Sequence, residues 1–400
     1  MTLESTGTVG TVGSVLFSAQ DYWYHNRAHS DVQLARALSA DRPVLLVNSL
    51  GMRMPRRGST TQPLRRVARK LTSTLRALRR PEPRHPQLYV MTPISVPVFA
   101  SPRLSRLNAW SVRVQVRMAA RLVGIRVPDV LVTLPTAWEV ARLLRSRSVV
   151  VNRSDRYSSL PEADSGLIGR LERSMLGACD AAVYVSTALM AEEQPLVRAG
   201  AGQTVLLGHG VDLAHFDPSA TGPEPTDLAA VPRPRVGFFG GIDDYVVDLP
   251  LVRRLAQALP DVSVVLVGAA TCPLDDLLTL PNVHWLGMKP YEEIPRYGAG
   301  FDVAIMPWLQ NDWIRFCNPV KTKEYLALGL PVVTTPYPEA GAHCDVLAVA
   351  QGPEDFVAKV AQALAGESVG TPESRRASVL DDSWSSRADV LRTLFEGRED

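Results

Sequence analysis

The chain has 400 residues, 46% of them hydrophobic, with 43 Lys+Arg against 41 Asp+Glu; that apolar content exceeds one ordinary core and fits two domains. No apolar run reaches the ~18 residues of a membrane-spanning helix, and the N-terminus lacks a charged stretch followed by an apolar one. Cys179, Cys272, Cys317 and Cys344 are far apart and form no CxxC pair, which argues against a zinc site or a disulfide framework and suits a reducing cytoplasm.

The near-neutral total hides a division. Residues 1–215 hold 28 basic against 15 acidic residues, a net of +13, and residues 216–400 hold 15 against 26, a net of −11. Only five of the basic residues are lysine. The charge is therefore carried by arginine, which binds phosphate through a planar fork, although a GC-rich genome would also enrich it.

Apolar runs of strand length occur at 15–19, 44–48, 88–91, 130–134, 149–152, 182–186 and 205–207, separated by helical patterns, which predicts βα units on a parallel sheet. After the first run, Asp21-Tyr22-Trp23-Tyr24-His25-Asn26-Arg27 forms a polar and aromatic loop suited to a sugar ring. Tyr22, His25, Asn26 and Arg27 are candidate acceptor-binding residues; His25 or His29 singly also reads as a surface histidine without a task. The stretch 53–86 holds 11 basic residues and one acid, Glu82. Within it Leu64, Val67, Leu71, Leu75 and Leu78 recur at helical spacing among arginines, predicting a basic amphipathic helix on an anionic membrane. A helix packed on the sheet or a mobile basic loop is the alternative. Nucleic acid is not indicated, because no aromatic side chains interleave with these arginines.

The run 149–152 leads into Arg153-Ser154-Asp155-Arg156-Tyr157. Asp155 is the candidate to orient or deprotonate an acceptor hydroxyl, with Arg153 beside it as an acceptor-binding residue. Two flanking arginines should depress the Asp155 pKa, so a structural salt bridge competes with catalysis. A Pro/Gly-rich stretch, 217–234, reads as an inter-domain connection. A second series of runs follows at 236–239, 262–267, 283–286, 303–306, 332–335 and 347–350. Gly240-Gly241, after the first of these, lets backbone approach a phosphate closely, or is a plain strand-to-helix turn.

The most informative stretch runs from Asn318 to Thr335. Asn318 suits an N-cap, Pro319 the first helical position and Gly329 the left-handed stop, and Pro331 precedes a β-branched run. Free amides from Val320 onward, the helix dipole and Lys321 favour an anion at the helix start, and Glu324 lies one turn on. Phosphates at the helix tip and ribose hydroxyls at the acid would satisfy a nucleotide sugar; an ordinary Lys321–Glu324 ion pair is the alternative. No His/Asp/Glu cluster has metal-ligand spacing, so no metal is expected.

Glu324-Tyr325-Leu326-Ala327-Leu328-Gly329-Leu330-Pro331-Val332-Val333 resembles the donor segment of GT-B glycosyltransferases, in particular the large retaining family 4-like group. The Asn-Pro-x-Lys-x-x-Glu-Tyr-Leu-Ala pattern is similar to that of its teichuronic-acid and polysaccharide branch. The resemblance implies that Glu324 holds the nucleotide ribose. The family's earlier glutamate, eight positions before, is Phe316 here, which leaves stereochemistry open between retention and inversion. Gly208-His209-Gly210-Val211-Asp212 resembles the segment closing the family's first domain. Pro281 to Gly287 resembles the strand and loop that pair with the base, making Trp285 and Gly287 donor candidates beside Gly240, Gly241, Arg315, Asn318, Pro319, Val320, Lys321 and Glu324.

The resemblance implies an α/β GT-B fold of two Rossmann-like, doubly wound domains facing a cleft. The expected bounds are an acceptor domain over 1–215, a donor domain over 216–382 and a helix from 383 crossing back to the first domain. It further implies a metal-independent hexosyltransferase that takes a nucleoside-diphosphate sugar as co-substrate, without another cofactor. Its acceptor would be a saccharide, lipid-linked or at the cell surface, reached from a cytoplasmic position at the inner membrane face. A transferase acting on a small secondary metabolite and a non-catalytic saccharide-binding or scaffold subunit are the alternatives.

Overall fold

The computed structural model describes residues 12–23, 28–51, 78–95, 101–160, 163–200 and 202–397. The chain divides into two compact units. Unit 1 runs to Tyr184 and adds Met190–Leu207 and the segment from Ala388; unit 2 comprises Val185–Leu189 and Gly208–Arg387.

Unit 1 is built on a sheet of eight strands. They are β1 (Ser14–Phe17), β2 (Val44–Val47), β3 (Leu78–Arg79), β4 (Leu88–Met91), β5 (Asp129–Val132), β6 (Ser148–Arg153), β7 (Ala181–Tyr184) and β8 (Gln203–Leu206), in the order β3-β4-β2-β1-β5-β6-β7-β8. All pairs are parallel except β3 with β4. The central strands β1, β2, β5 and β7 are buried along their whole length, which is why they read as unbroken apolar runs rather than alternating ones. Chain direction across the sheet reverses between β1 and β5, which pair in register from Ser14 with Asp129 to Phe17 with Val132.

Unit 2 carries β9 (Arg235–Phe239), β10 (Ser263–Val267), β11 (Val283–Trp285), β12 (Val303–Met306), β13 (Val332–Thr334) and β14 (Ala348–Val349) in the order β11-β10-β9-β12-β13-β14, all parallel. That is a doubly wound sheet with its switch point between β9 and β12. All thirteen runs named above are strands, within one or two residues at each end. The short antiparallel β3 has no signature of its own: two residues cannot show a period, and the sequence periodicity instead extends a helix to Leu78. Leu78 pairs with Met91 in the sheet.

The helix Trp384–Glu396 begins in unit 2, and its continuation from Ala388 belongs to unit 1. Ala388, Leu391 and Phe395 recur at helical spacing and are buried. Arg392 donates to Ala37 O and to Asp41, each at 2.9 Å, and so fastens this segment to the end of the helix Ser30–Leu38. No helix among the described residues is long and apolar enough to cross a membrane.

Candidate functional site

Ligands of open parallel sheets bind beyond the carboxyl ends of the strands where strand order reverses. In unit 2 Gly240 follows β9 at that point, and the helix Val320–Ala327 follows β12 and its loop. Lys321 joins the two. A Cβ on Gly240 would overlap Lys321 Cε, so the lysine stem lies directly across the loop backbone, and the Gly240 φ of 147° is itself unsuited to other residues. Gly268, after β10, packs on Gly240 O in turn, donates its amide to Gly287 O at 2.8 Å and accepts from Trp285 Nε1 at 2.9 Å. Gly240, Gly268, Gly287 and Trp285 thus form a row across the ends of β9, β10 and β11. Trp285 is 41% exposed, and Gly287 has open space beside it.

The helix is seated by residues that sequence reasoning passed over. Lys323 donates to His209 O at 2.7 Å and pairs with Asp382 at 2.7 Å. The buried Tyr325 hydroxyl accepts from Phe239 N at 2.9 Å, fixing the last residue of β9 immediately before Gly240. The motif Glu324-Tyr325 therefore combines a site residue with the group that positions the opposing loop. Asn318 is not the N-cap. That position falls to Pro319, without a side-chain cap, and Asn318 instead donates to Val185 O at 2.9 Å. Gly329 adopts the expected left-handed conformation, φ 76°.

Burial pushes the Glu324 carboxyl up to about 7, Lys321 pulling it down and Asp212 adding to the rise. Burial likewise lowers the Lys321 ammonium, against the pull of Glu324 and Asp243. Asp243 accepts a hydrogen bond from Thr271 Oγ, so one of the two aspartates in this loop is already engaged. Arg315 is exposed, with its guanidinium 5.1 Å from the centre of the Phe316 ring. Phe316 itself is buried, so the position holding a glutamate in the resembling family here serves packing. The assembled groups suit an anion at Lys321 and the first-turn amides, with vicinal hydroxyls at Glu324.

Unit 1 collects a second polar group at its own switch point. Asp31, 1% exposed, accepts from Ser18 Oγ at 3.1 Å, Ala19 N at 2.8 Å and Thr133 Oγ at 2.6 Å, with Asn152 Nδ2 at 3.5 Å. His29 caps the helix Ser30–Leu38, its Nδ1 lying 3.5 Å from Asp31 Oδ2. Burial opposes charging His29, but Asp31 and then Asp155 outweigh it and raise its pKa.

Asp155 behaves opposite to the sequence expectation. Burial pushes its pKa up to about 7, His29 and Arg153 only partly offsetting the rise and Asp31 adding to it. The flanking arginines are committed elsewhere. Arg156 pairs with Glu192 at 2.9 Å, and the fully buried Arg153 forks onto Glu193 at 2.8 and 2.6 Å and reaches Glu172 at 2.9 Å. Arg153 is thus an internal strut, which corrects the expectation that it touches an acceptor. A carboxyl pushed up to about 7 beside a histidine whose protonated form is favoured suits general acid–base work. Alternating strand positions give no hint that Asp31 and His29 converge on Asp155; only the strand order does that.

Tyr22 also differs from expectation. It is buried, its hydroxyl donating to Glu82 at 2.5 Å while Arg36 binds the same carboxylate through two 2.8 Å bonds. Tyr22 and Glu82 thereby anchor the end of the basic stretch. His25, Asn26 and Arg27 lie outside the described residues, as does the basic stretch from 53 to 77. No group of three or more His, Cys, Asp or Glu side chains placed to hold a metal occurs among the described residues.

Two parallel α/β units of this construction are the GT-B glycosyltransferase fold. Residues 233–366, the segment that contains Gly240, Lys321 and Glu324, match the family model described as glycosyl transferases group 1. A curated Bacillus subtilis protein, named as the teichuronic acid biosynthesis glycosyltransferase TuaH, is 30% identical over 189 residues, 46% of this chain and 47% of that protein. The match thus spans about half the length of this relative. Among solved structures, sucrose-phosphate synthase from Thermosynechococcus elongatus is similar with a TM-score of 0.70 at 14% identity, over 96% of this chain and 98% of that one. Anabaena HepE in complex with UDP and glucose gives 0.65 at 14% identity, over 97% and 100%. An E. coli trehalose-6-phosphate protein bound with UDP-2-fluoro glucose gives 0.61 at 12% identity, over 96% and 99%.

Proposed function

We propose that this protein is a glycosyltransferase that moves a hexosyl group from a nucleoside-diphosphate sugar to a saccharide acceptor, lipid-linked or at the cell surface. The observation that carries the reading is Lys321 lying across Gly240, with Glu324 one turn further along the same helix. Departure of a diphosphate needs preorganised positive groups and N–H donors, which Lys321, Arg315 and the amides from Val320 onward would supply. Glu324 would accept from the ribose, and Trp285 and Gly287 would flank the base. Asp155, with His29 and Asp31 behind it, would serve the acceptor hydroxyl. The nucleotides in the names of the GT-B neighbours and the polysaccharide role in the name of the Bacillus relative support this donor and acceptor class. The reading includes no metal and no cofactor beyond the nucleotide sugar, and it takes retention as the stereochemical outcome. None of the four cysteines is in a disulfide, which suits a cytoplasmic setting.

Phe316 favours one rival, binding without catalysis, because it removes a carboxylate that the resembling family keeps. A screen of UDP-, GDP- and ADP-sugars by thermal stabilisation separates the readings, since a ligand at 100 times its Kd adds about 2.7 kcal/mol. One nucleotide sugar should stabilise the protein and be consumed. Glu324→Ala should weaken its binding roughly 10- to 100-fold, the worth of a hydrogen bond to a charged group. Asp155→Asn should bind the donor normally and lose transfer. Binding without turnover would favour the rival, and no response to any nucleotide sugar would sink both.

A further inference from the structure

The helix Pro102–Leu122 is apolar on two opposite faces. Ala109, Val112, Val116 and Ala119 are buried, and the helix contacts β2 and the short helix Trp138–Ala141. The other face is open. Leu104, Leu107, Trp110, Met118 and Leu122 are 53%, 61%, 55%, 60% and 78% exposed and share the outward side, three on the first turns of the helix and two on the last. A surface helix of a globular domain normally sets polar residues there, so five large apolar side chains in one patch mark a surface that something covers.

Charge identifies what covers it. Arg103, Arg106, Arg113, Arg117 and Arg121 run along one edge of the open face, and no Asp or Glu occurs between Glu82 and Asp129. At the C-terminal half of the helix a cavity of about 140 Å³ is lined by Arg117, Arg121, Arg126 and Arg145. No ion pair to any of these four occurs among the described residues. A second copy of the chain docking through the same face would set arginine against arginine. A surface dense in phosphates above an apolar layer complements both features at once.

We propose that this face docks on an anionic phospholipid surface, with Leu107, Trp110 and Met118 seated at the boundary of headgroups and acyl chains. The arginine edge lies on headgroup phosphates, and the four-arginine cavity encloses one of them. The inference goes beyond the proposed activity and is independent of it, because docking requires neither donor nor acceptor.

The test is co-sedimentation of the full chain, without any sugar nucleotide, with vesicles of phosphatidylcholine alone or mixed with phosphatidylglycerol. Binding should be confined to the mixed vesicles and decline with salt. Replacing Leu107, Trp110 and Met118 together by Gln should lower partitioning at least about 10-fold, and the triple change R117Q/R121Q/R126Q on the order of 100-fold. All six positions are exposed, and unchanged near-ultraviolet circular dichroism would show that the variants fold. Undiminished binding by both variants overturns the proposal. So does binding lost only when Arg65, Arg66, Arg69 and Lys70 are changed to Gln, which would assign docking to the basic stretch instead. A wild-type oligomer dissolved by the apolar triple change would overturn it in favour of a second copy.

Discussion

Glu324 and Asp155 share a property that sequence position alone does not convey: each is a carboxyl held up to about 7 chiefly by burial. For Glu324 the folded protein binds the proton more tightly than the unfolded chain, whose ordinary value is 4.5. Its contribution to stability is therefore complete below about 4.5 and is lost as pH rises through about 7. Glu324→Gln has no such proton to lose. The difference in unfolding free energy between this variant and the wild type should move in favour of the variant by on the order of 2 kcal/mol between pH 4.5 and pH 8. Denaturant titrations across that range check it; a constant difference would mean that the carboxyl titrates normally. The same ionisation should appear in binding, with nucleotide affinity rising through pH 7 as Glu324 becomes the better acceptor.

Among the elements, the helix Val320–Ala327 was the most legible, whereas β6 was legible as a strand but not in the role of its last side chain. Pro319, Gly329 and Pro331 mark the helix ends by backbone chemistry that needs no tertiary context, so its position follows within a residue. Asn318 shows the limit: its side chain had a choice between capping and Val185 O, and only the folded unit decides it. On β6, Arg153 looks from the sequence like a free cation next to a functional aspartate. Its glutamate partners lie 19 and 40 residues away, on the helices Ser165–Leu176 and Thr187–Ala199, where no local spacing announces them. Arg153→Ala should therefore destabilise the protein by about 3–5 kcal/mol, because it leaves Glu172 and Glu193 buried without a counter-charge. Replacing all three by apolar residues of similar volume should recover most of that loss. Chemical denaturation of the single and triple variants distinguishes this from an acceptor-binding role, in which stability would hardly change.

At the scale of the whole molecule, two doubly wound sheets and a contrast of +13 against −11 between the two parts of the sequence imply a division of labour. A nucleoside diphosphate should slow amide exchange at 240–241, 268, 285–287 and 320–324 and leave the helix Pro102–Leu122 unchanged, a pattern readable by hydrogen-exchange mass spectrometry. Protection confined to unit 1 would misassign the donor. The segment from Ala388 has a different consequence. Leu391 and Phe395 complete a core otherwise formed by residues before 207, so the domain that emerges first from the ribosome cannot be finished until nearly two hundred later residues have been translated. During synthesis it must wait with an apolar seam open, and chaperone demand should concentrate in that interval.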